Sequence, residues 1–593
     1  MFAQSSRFSS HHGLRTVAVK WVLVLTMTLG ASCAAMAQDR SPLAALPKAE
    51  WDWNKARHLL FRAGFGGTKL EIDALHALGL EGAVDLLVDY ESTPSGPDFA
   101  GEFPEALRRV AMVGLSREEI QKKRQTLRRK NGRLLGQLRQ WWITRMARTK
   151  RPLEEKLTLF WHGHFTSGFR DVRNTLHMCQ QNDLLREYAS GNFAEFVHNV
   201  AKDAAMLEYL DNNRNRRGQA NENFAREVME LFTLGIGNYS EEDIKEAARA
   251  FTGWTFDQSG GFVFNQRQHD FGLKNFMGKK GRLTGEDVID TLLANDRTAV
   301  YICGKLFSYF GHRKPYPVLV QALAAELRTP RGDKKQGYEL KPVLKTIFKS
   351  RAFYDEKSMG CRIKSPIELV VGAIRQLELP ADKAARLGGA MAAQMGQTLF
   401  DPPNVKGWAG GREWISTSAL YDRYNFAGLV TRDLSADTFR MQTPAPNEMS
   451  AEASMSSGAV GGRVRGEEFV PTSPREDSME GMEAARADGK PDDRKARRDR
   501  SQTFRALQMR FPFPAAKMVK AKDLSQPDEI VDVLSRTFLA VNLPSTSRAE
   551  LISYLNTDTF GKSSAFDIER WDASRRLKGM LHLLFSTPEY QIN

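Results

Sequence analysis

The chain has 593 residues, of which 41% are hydrophobic, and a formal net charge of +14. This is enough apolar material to bury a large core, in one large domain or two. Basic and acidic residues are interleaved along most of the chain, so the charge favours a solvated, mixed surface over a nucleic-acid-binding one.

Residues 1–37 have the three parts of a cleavable secretory signal peptide. The first twenty residues contain three basic residues and no acidic one, an apolar stretch follows from Trp21, and the small-x-small sequence Ala35-Met36-Ala37 precedes Gln38. The apolar stretch is too short and too rich in small residues to favour a membrane span. We therefore predict an exported protein, periplasmic or secreted, with no transmembrane anchor after cleavage.

The cysteines fit a protein without a disulfide framework. Lipidation at Cys33 is less favoured, because Gly30 stands where a lipoprotein signal needs a Leu-like residue. Cleavage leaves Cys179, Cys303 and Cys361, an odd number with no CxxC pair. Because each lies in an apolar or helical context, we expect buried free thiols.

Composition divides the mature chain into three parts. Residues 38–436 carry dense helical patterning and form the predicted main domain. Residues 437–515 are rich in Ser, Met, Ala, Glu and Arg and show no apolar period, which predicts a disordered insert. Helical patterning then resumes, and residues 516–593 are predicted to complete the main domain.

The predicted fold is mainly α: a large multi-helix globular domain with one small β-hairpin and the disordered insert. A long basic helix is expected at about 117–148, and GWTFD (253–257) and FVFNQ (262–266) form the hairpin strands. Capping boxes mark three helix starts, at Thr68–Glu71, Ser116–Glu119 and Ser365–Glu368.

Several familiar catalytic motifs do not occur in the sequence: GxSxG, Walker A, GxGxxG, HExxH and paired CxxC. Their absence weakens serine-hydrolase, nucleotide-hydrolase, zincin and zinc-ribbon interpretations. The absence of these motifs does not exclude an enzyme with another kind of site.

The first candidate site is the sequence Trp161-His162-Gly163-His164-Phe165. Two residues apart, His162 and His164 lie about 200° apart around a regular helix. They would converge on a divalent metal only if the helix ends at Gly163, with a further ligand from elsewhere. The alternative is two histidines that pack and hydrogen-bond at a helix end.

The second candidate segment is DNNRNRRGQANENFAREVME (211–230). It partly resembles a calcium loop, but Arg216 occupies the position that requires glycine. Asn221, Asn223 and Arg226 are candidate binding residues, and Glu227 is a candidate acid/base or metal ligand. A structural ion-pair network at a helix start is the alternative.

The third candidate is His269-Asp270, on a loop after the hairpin. The histidine is a candidate metal ligand, and Asp270 is a candidate catalytic acid/base. Partners would have to come from other segments, because adjacent side chains rarely point the same way. A structural role in the loop is equally compatible with the sequence.

The fourth candidate is the loop DPPNVKGWAGGREW (401–414), which is rich in proline, glycine and tryptophan. Trp408 and Trp414 are candidate binding residues, since tryptophan offers a stacking face for sugars or peptides. The modestly favoured alternative is a loop that packs onto the helical core.

Together these segments resemble one bacterial family, named domain of unknown function 1800. The resemblance is carried by long stretches in order from about Trp53 to Phe426, and by LLFSTPEYQ near the C-terminus. The stretches are RHLLFRAGFG, EKLTLFWHGHF, NENFAREVMELFTLGIGNYSEEDIKEAARAFTGW, HDFGLKNFMGKKG, KSPIELVVG and LFDPPNVKGWAGGREWI. The resemblance implies an exported bacterial protein but supplies no established activity or catalytic residue. It also suggests an exported partner, because genes of this family often neighbour genes of the exported family named domain of unknown function 1501, which resembles the alkaline-phosphatase superfamily.

Two functions follow from the sequence. The first is an envelope binding or assembly protein that acts with an exported partner. The alternative is a metal-dependent extracytoplasmic enzyme, most simply a hydrolase, with His162, His164 and His269 as ligands and Asp270 or Glu227 as acid/base. Nucleic acid is a distant third, because the basic run KKRQTLRRK has no interleaved aromatic residue and export removes the target.

Overall fold

A computed structural model of the chain describes residues 42–104, 114–332, 337–431, 519–520 and 523–593. The predicted signal peptide (1–37) and the predicted insert (437–515) therefore lie outside the described residues. The described residues belong to one compact unit. Their fold is mainly α, which confirms the prediction.

The first half of the described chain forms ten helices. They are α1 (Trp53–Ala63), α2 (Lys69–Ala77), α3 (Gly79–Val88), α4 (Arg117–Arg148), α5 (Pro152–His164), α6 (Phe169–Val172), α7 (Thr175–Glu187), α8 (Phe193–Val200), α9 (Ala204–Tyr209) and α10 (Glu222–Glu227). Helix α10 continues without a break into a wider π-helical turn over Val228–Thr233.

Twelve helices follow in the second half. They are α11 (Glu241–Ala250), α12 (Gly285–Ala294), α13 (Asp296–Phe310), α14 (Pro317–Arg328), α15 (Leu340–Lys349), α16 (Arg351–Tyr354), α17 (Pro366–Gln376), α18 (Ala381–Gln394), α19 (Thr417–Thr431), α20 (Pro527–Phe538), α21 (Ser545–Leu555) and α22 (Ala573–Ser586).

Local sequence explains many of the helix boundaries. The three predicted capping boxes are present, at the starts of α2, α4 and α17. The long basic helix α4 has the predicted bounds. Two further capping boxes use aspartate rather than glutamate at the third position, Ser240–Asp243 before α11 and Thr284–Asp287 before α12. In each box, the hydroxyl oxygen of the first residue accepts from the backbone N–H of the acidic residue, and the carboxylate accepts from the backbone N–H of the first residue.

The predicted hairpin is present as β1 (Trp254–Phe256) paired with β2 (Phe262–Phe264). A second antiparallel pair, β3 (Lys274–Phe276) and β4 (Lys279–Gly281), was not predicted. Its turn residues Met277 and Gly278 both have positive φ, 48° and 84°, as a two-residue hairpin turn requires. The strands are only three residues long, which is too short for an alternation of apolar and polar residues to predict them.

Helix α5 lies at the centre of the unit. Every residue of α5 except Gly163 is buried. A helix buried on all sides is expected to be apolar all round. Here it also carries charges, and these require buried partners.

One buried partner network is built around Glu155 of α5. Its carboxylate accepts hydrogen bonds from Trp142 Nε1 at 2.8 Å, Arg145 Nε at 2.5 Å and Arg186 Nε at 2.7 Å. Burial alone would raise the pKa of this carboxyl, but Arg186 and Arg145 outweigh burial and hold the pKa below its ordinary value. The network joins α4, α5 and α7.

The end of the chain is tied to the middle of the molecule. Helix α22 packs on α19. Polar contacts then join residues 590–593 to distant segments: Lys364 Nζ to Tyr590 O at 2.8 Å, Arg423 Nη1 to Gln591 Oε1 at 3.0 Å and Arg62 Nη1 to Asn593 O at 3.1 Å. Within the described ranges, no helix combines the length and apolarity needed to cross a bilayer.

Candidate ligand-binding cavity

The helix end at Gly163, on which a shared metal site depended, is not present, because α5 continues through His164. The two histidines therefore point to different surroundings. His162 Nε2 accepts a hydrogen bond from the Phe400 backbone N–H at 3.0 Å, and its ring packs against Trp142 and Trp408. Burial, aided by Arg139, lowers the pKa of His162 to about 3. This histidine is a neutral packing residue.

His164 forms a hydrogen bond with a lysine, Lys305. Its Nδ1 lies 2.8 Å from Lys305 Nζ, and its Nε2 lies 3.3 Å from the carbonyl oxygen of Phe232. Since a carbonyl can only accept, Nε2 carries the proton and Nδ1 accepts from the lysine. The one ring lone pair is therefore already used. Burial, with Lys305 adding to it, places the pKa of His164 well below its ordinary value.

His269 and Asp270 fasten the hairpin loop to α11. His269 Nδ1 lies 2.8 Å from the Thr252 carbonyl oxygen, and its ring packs on two phenylalanines. Asp270 forms an ion pair with Arg249 at 2.8 Å, and that hydrogen bond is the main cause of its lowered pKa. Both residues have structural partners.

The polar residues of α10 also have local roles. Asn221 is the N-cap, accepting from Asn223 N at 3.0 Å, and Arg226 pairs with Glu241 at 2.8 Å. Glu227 is half-buried, and burial followed by the nearby Glu230 raises its pKa.

The metal candidates are not brought together. His162, His164 and His269 each contact different partners, as given above. Within the described part of the chain, no three or more His, Cys, Asp or Glu side chains are grouped so that they could hold a metal ion. The convergence of these histidines that the metal-dependent alternative requires is therefore not found.

The tryptophan-rich loop packs inward. Trp408 lies on His162, with ring centroids 5.4 Å apart, and Trp414 is buried. Gly407 has a φ of 76°, and a Cβ there would lie 2.5 Å from the Gly163 carbonyl oxygen. The loop backbone therefore rests directly on the end of α5. This supports the packed-loop alternative for the two tryptophans.

The glycines of the same loop nevertheless line a cavity of about 540 Å³. Ala409, Gly410 and Gly411 form one side of it, and residues of α13, with the turn that follows it, form another. The aromatic and cationic residues of the lining are Phe160, Tyr301, Tyr309, Lys305, Arg313 and Arg362. None of the described lining residues is an aspartate or a glutamate.

Lys305 is the most unusual residue of this cavity. It is half-buried on α13, and its nearest polar partner is the neutral ring of His164 rather than a carboxylate. Burial lowers the pKa of Lys305 to about 8. Charged lysine and neutral amine therefore both occur near neutral pH.

Two arginines complete the cationic lining. Arg362 donates to the Ser308 carbonyl oxygen, and its guanidinium lies over the Tyr309 ring at 5.0 Å. Arg313 is exposed, and its guanidinium lies against Gly411. Across the residues that the structure describes, no carboxylate oxygen lies within 4.0 Å of the charged nitrogens of Lys305, Arg313 or Arg362.

The π-helical turn positions part of this wall. The last carbonyls of a helix lack intrahelical partners. Here the carbonyl of Phe232 faces His164 at 3.3 Å, and that of Leu231 accepts from the Tyr301 hydroxyl at 3.1 Å. The wide turn of Val228–Thr233, of a kind frequent at functional sites, thus supports both His164 and Tyr301.

A second cavity of about 560 Å³ lies between α4 and α18. It is also lined by arginines, and one of them, Arg139, already donates to the Leu399 carbonyl oxygen at 2.8 Å. It contains no lysine–histidine pair. The cavity at Lys305 is therefore the better candidate site.

Segments distant in sequence line this cavity: α5, α13 with the turn after it, residues 362–363 and the 401–414 loop. A family model described as "Protein of unknown function (DUF1800)" matches residues 58–592, which include all of them. The chain belongs to the DUF1800 family. No curated protein and no solved structure matches it.

Sequence reasoning missed the three cations of this DUF1800 protein. Lys305 had one available signal, since it is a lone lysine within the apolar stretch AVYICGKLFSYF. Lysine is rarely buried without a partner, so such a position is a candidate for function. Arg313 and Arg362 carried no comparable signal.

Proposed function

We propose that this DUF1800 protein is an exported binding protein that holds an anionic group, a carboxylate or a phosphate, in the cavity at Lys305, and acts with an exported partner. The observation that carries the proposal is the convergence of Lys305, Arg313 and Arg362 in one cavity whose described lining includes no aspartate or glutamate.

The contrast with two buried cations of the core that are paired with carboxylates supports an anionic ligand. Lys156 is paired with Glu368, and Arg145 with Glu155. Cations at a partly desolvated wall gain more from an anion than exposed ones do. The arginines add planar donors that suit carboxylate and phosphate oxygens. Gly410 and Gly411 leave the opposite wall free of bulky side chains.

The exported setting and the partner rest on the sequence. The basic and apolar residues 1–37 support export. The family resemblance suggests an exported protein of the domain of unknown function 1501 family as the partner. An anionic group on that partner, or on a ligand that both proteins handle, would fit the cavity.

The alternative, a metal-dependent hydrolase, receives less support. His164 uses its lone pair to accept from Lys305, and His162 accepts from the Phe400 backbone. Asp270 is engaged by Arg249. A metal would have to break these contacts before it bound.

The binding proposal is tested with inorganic phosphate and with citrate as probes, by calorimetry and by thermal unfolding of the mature protein. The variant Arg313→Ala/Arg362→Ala removes two cavity cations. The variant Arg117→Ala/Arg282→Ala removes two exposed arginines outside the cavity and is the matched control. A ligand that binds only the folded state raises the melting temperature.

We expect wild type and control to be stabilised alike by at least one probe, and the cavity variant to lose at least about tenfold in affinity, as loss of charge-assisted hydrogen bonds implies. Equal binding by all three proteins would contradict the proposal. For the partner, the tagged mature protein is purified from its native envelope. Recovery of no stoichiometric partner would contradict that part.

A further inference from the structure

The amine of Lys305 lies at the cavity wall with one fixed acceptor beside it. His164 Nδ1 takes one of its hydrogens at 2.8 Å. When the lysine is neutral, this hydrogen bond leaves a second hydrogen and the nitrogen lone pair unused. The space they can face is the cavity that Lys305 itself lines.

From this geometry we infer that Lys305 is a nucleophilic amine, which forms a reversible imine with an aldehyde or ketone that carries an anionic group. The anionic part of this inference rests on the proposed function. The reactivity of the amine does not, because it depends on Lys305 and His164 alone.

Burial of Lys305 favours the neutral amine. The titratable groups that line the cavity with Lys305 are Tyr301 and Tyr309 from α13 and the two arginines Arg313 and Arg362. His164 contacts the Lys305 amine from α5. None of them is a carboxylate that would hold a charged ammonium. Burial lowers the pKa of Lys305 to about 8, the range in which lysine nucleophiles operate.

The four buried lysines of the described chain all lie outside the cavity, Lys578 on α22 among them. Lys156 is paired with Glu368, Lys364 donates to the Tyr590 carbonyl oxygen, and Lys274 donates to the Asp270 carbonyl oxygen. None of these three lines the cavity. The placement of Lys305 is thus specific to this site.

The chemistry needs no further reagent. The nitrogen lone pair attacks the carbonyl carbon, so that an N–C bond forms while the C=O π bond breaks. A proton moves from nitrogen to oxygen and gives a neutral carbinolamine. Loss of hydroxide and then of the second N–H proton, together one water molecule, gives the imine. Water reverses the sequence, and nothing is oxidised or reduced.

The anion would be held by the arginines while the carbonyl carbon meets Lys305. A small 2-oxo acid or a phosphorylated aldehyde has both groups, and the cavity of about 540 Å³ is within the range for small-molecule sites. His164 is a positioning residue, because it remains a neutral acceptor and touches only the amine.

The test is reductive trapping on the full mature protein at pH 7.5. Benzaldehyde is the neutral probe, 4-carboxybenzaldehyde is the matched anionic probe, and cyanoborohydride fixes any imine as a secondary amine. Peptide mass spectrometry then gives the rate of labelling at each lysine. Exposed Lys280 and Lys383 are internal references, so the main comparison needs no variant.

We expect both probes to label Lys305 at least about tenfold faster than the reference lysines, as a lowered amine pKa implies. The anionic probe should be favoured at Lys305 only, and Arg313→Ala/Arg362→Ala should remove that preference. If wild-type Lys305 is labelled fast but shows no preference for the anionic probe, the anion site is contradicted and the imine inference stands. Labelling of Lys305 no faster than the references, with either probe, would overturn the imine inference.

A positioning role for His164 has its own readout. In His164→Leu, checked for folding by circular dichroism, labelling of Lys305 should slow while its pH midpoint stays near the wild-type value, because burial rather than His164 sets that pKa. An unchanged labelling rate would remove His164 from the inference.

Discussion

At the scale of single residues, this protein buries many charged side chains, and most of these are bound by opposite charges or by backbone carbonyl oxygens. Glu155 is the clearest case, because Arg145 and Arg186 both bind its carboxylate and Trp142 donates to it. Removing one member of such a group leaves a buried charge without compensation.

Glu155→Gln should therefore lower the free energy of unfolding by about 3–5 kcal/mol in chemical denaturation, the usual cost of breaking a buried ion pair. Asp382→Asn is the control, since its ion pair with Arg148 is exposed, and such pairs contribute at most about 1 kcal/mol. Similar losses in both variants would contradict the importance given to burial.

Lys364 makes stability depend on pH. Burial lowers its pKa from the ordinary 10.5 to about 7 in the folded protein. Between these two pH values the unfolded chain holds one more proton, so raising the pH favours the folded state. Relative to Lys364→Met, wild type should gain about 1.4 kcal/mol of unfolding free energy per pH unit in this window.

Denaturation at several pH values between 7 and 10 checks this slope. The exposed Lys280→Met variant is the control and should run parallel to wild type. A Lys364→Met profile that also runs parallel to wild type would show that Lys364 keeps its charge throughout.

At the scale of elements, the 401–414 loop matters because its backbone lies on α5. Gly407 has a positive φ, and a Cβ would meet the Gly163 carbonyl. Gly237 has a similar φ of 83°, but nothing lies within 4 Å of its Cβ position.

Gly407→Ala should cost more than about 2 kcal/mol of stability, because left-handed strain and a backbone clash add together. Gly237→Ala should cost only about 1 kcal/mol, from strain alone. Thermal and chemical unfolding measure both. Equal losses would mean that the loop does not rest on α5 as described.

Local signals predicted elements better than they predicted contacts between elements. Capping boxes are short-range, and Ser116 with Glu119 placed the start of a 32-residue helix correctly. The pairing of His164 with Lys305 spans 141 residues, so no local period could indicate it. Whether α5 ends at Gly163 was left open by the sequence, because glycine permits a helix stop but packing decides it.

At the scale of the whole molecule, α5 links the buried ion pairs of the core to the candidate site. Its N-terminal part carries Glu155 and Lys156, each of which forms an ion pair with a residue of another helix in the core. Its C-terminal part carries His164, which contacts Lys305 at the cavity. Stability and the candidate site therefore share one buried helix.

Export is a prediction about the location of the whole protein. When the full-length protein is expressed in a bacterium, the extracytoplasmic form should begin at Gln38, as N-terminal sequencing would show. A control variant with large residues in place of Ala35 and Ala37 should remain uncleaved. Recovery of wild type with residues 1–37 intact in the cytoplasmic fraction would contradict export.

The central claim, an anion held between Lys305, Arg313 and Arg362, is tested most directly by crystallography with a heavy anion. Crystals of the mature protein would be soaked in tungstate, a phosphate-like ion with a strong anomalous signal. We predict an anomalous peak in the cavity at Lys305 that is absent from Arg313→Ala/Arg362→Ala crystals. Peaks confined to the protein surface or to the second cavity, with the cavity at Lys305 empty, would contradict the account.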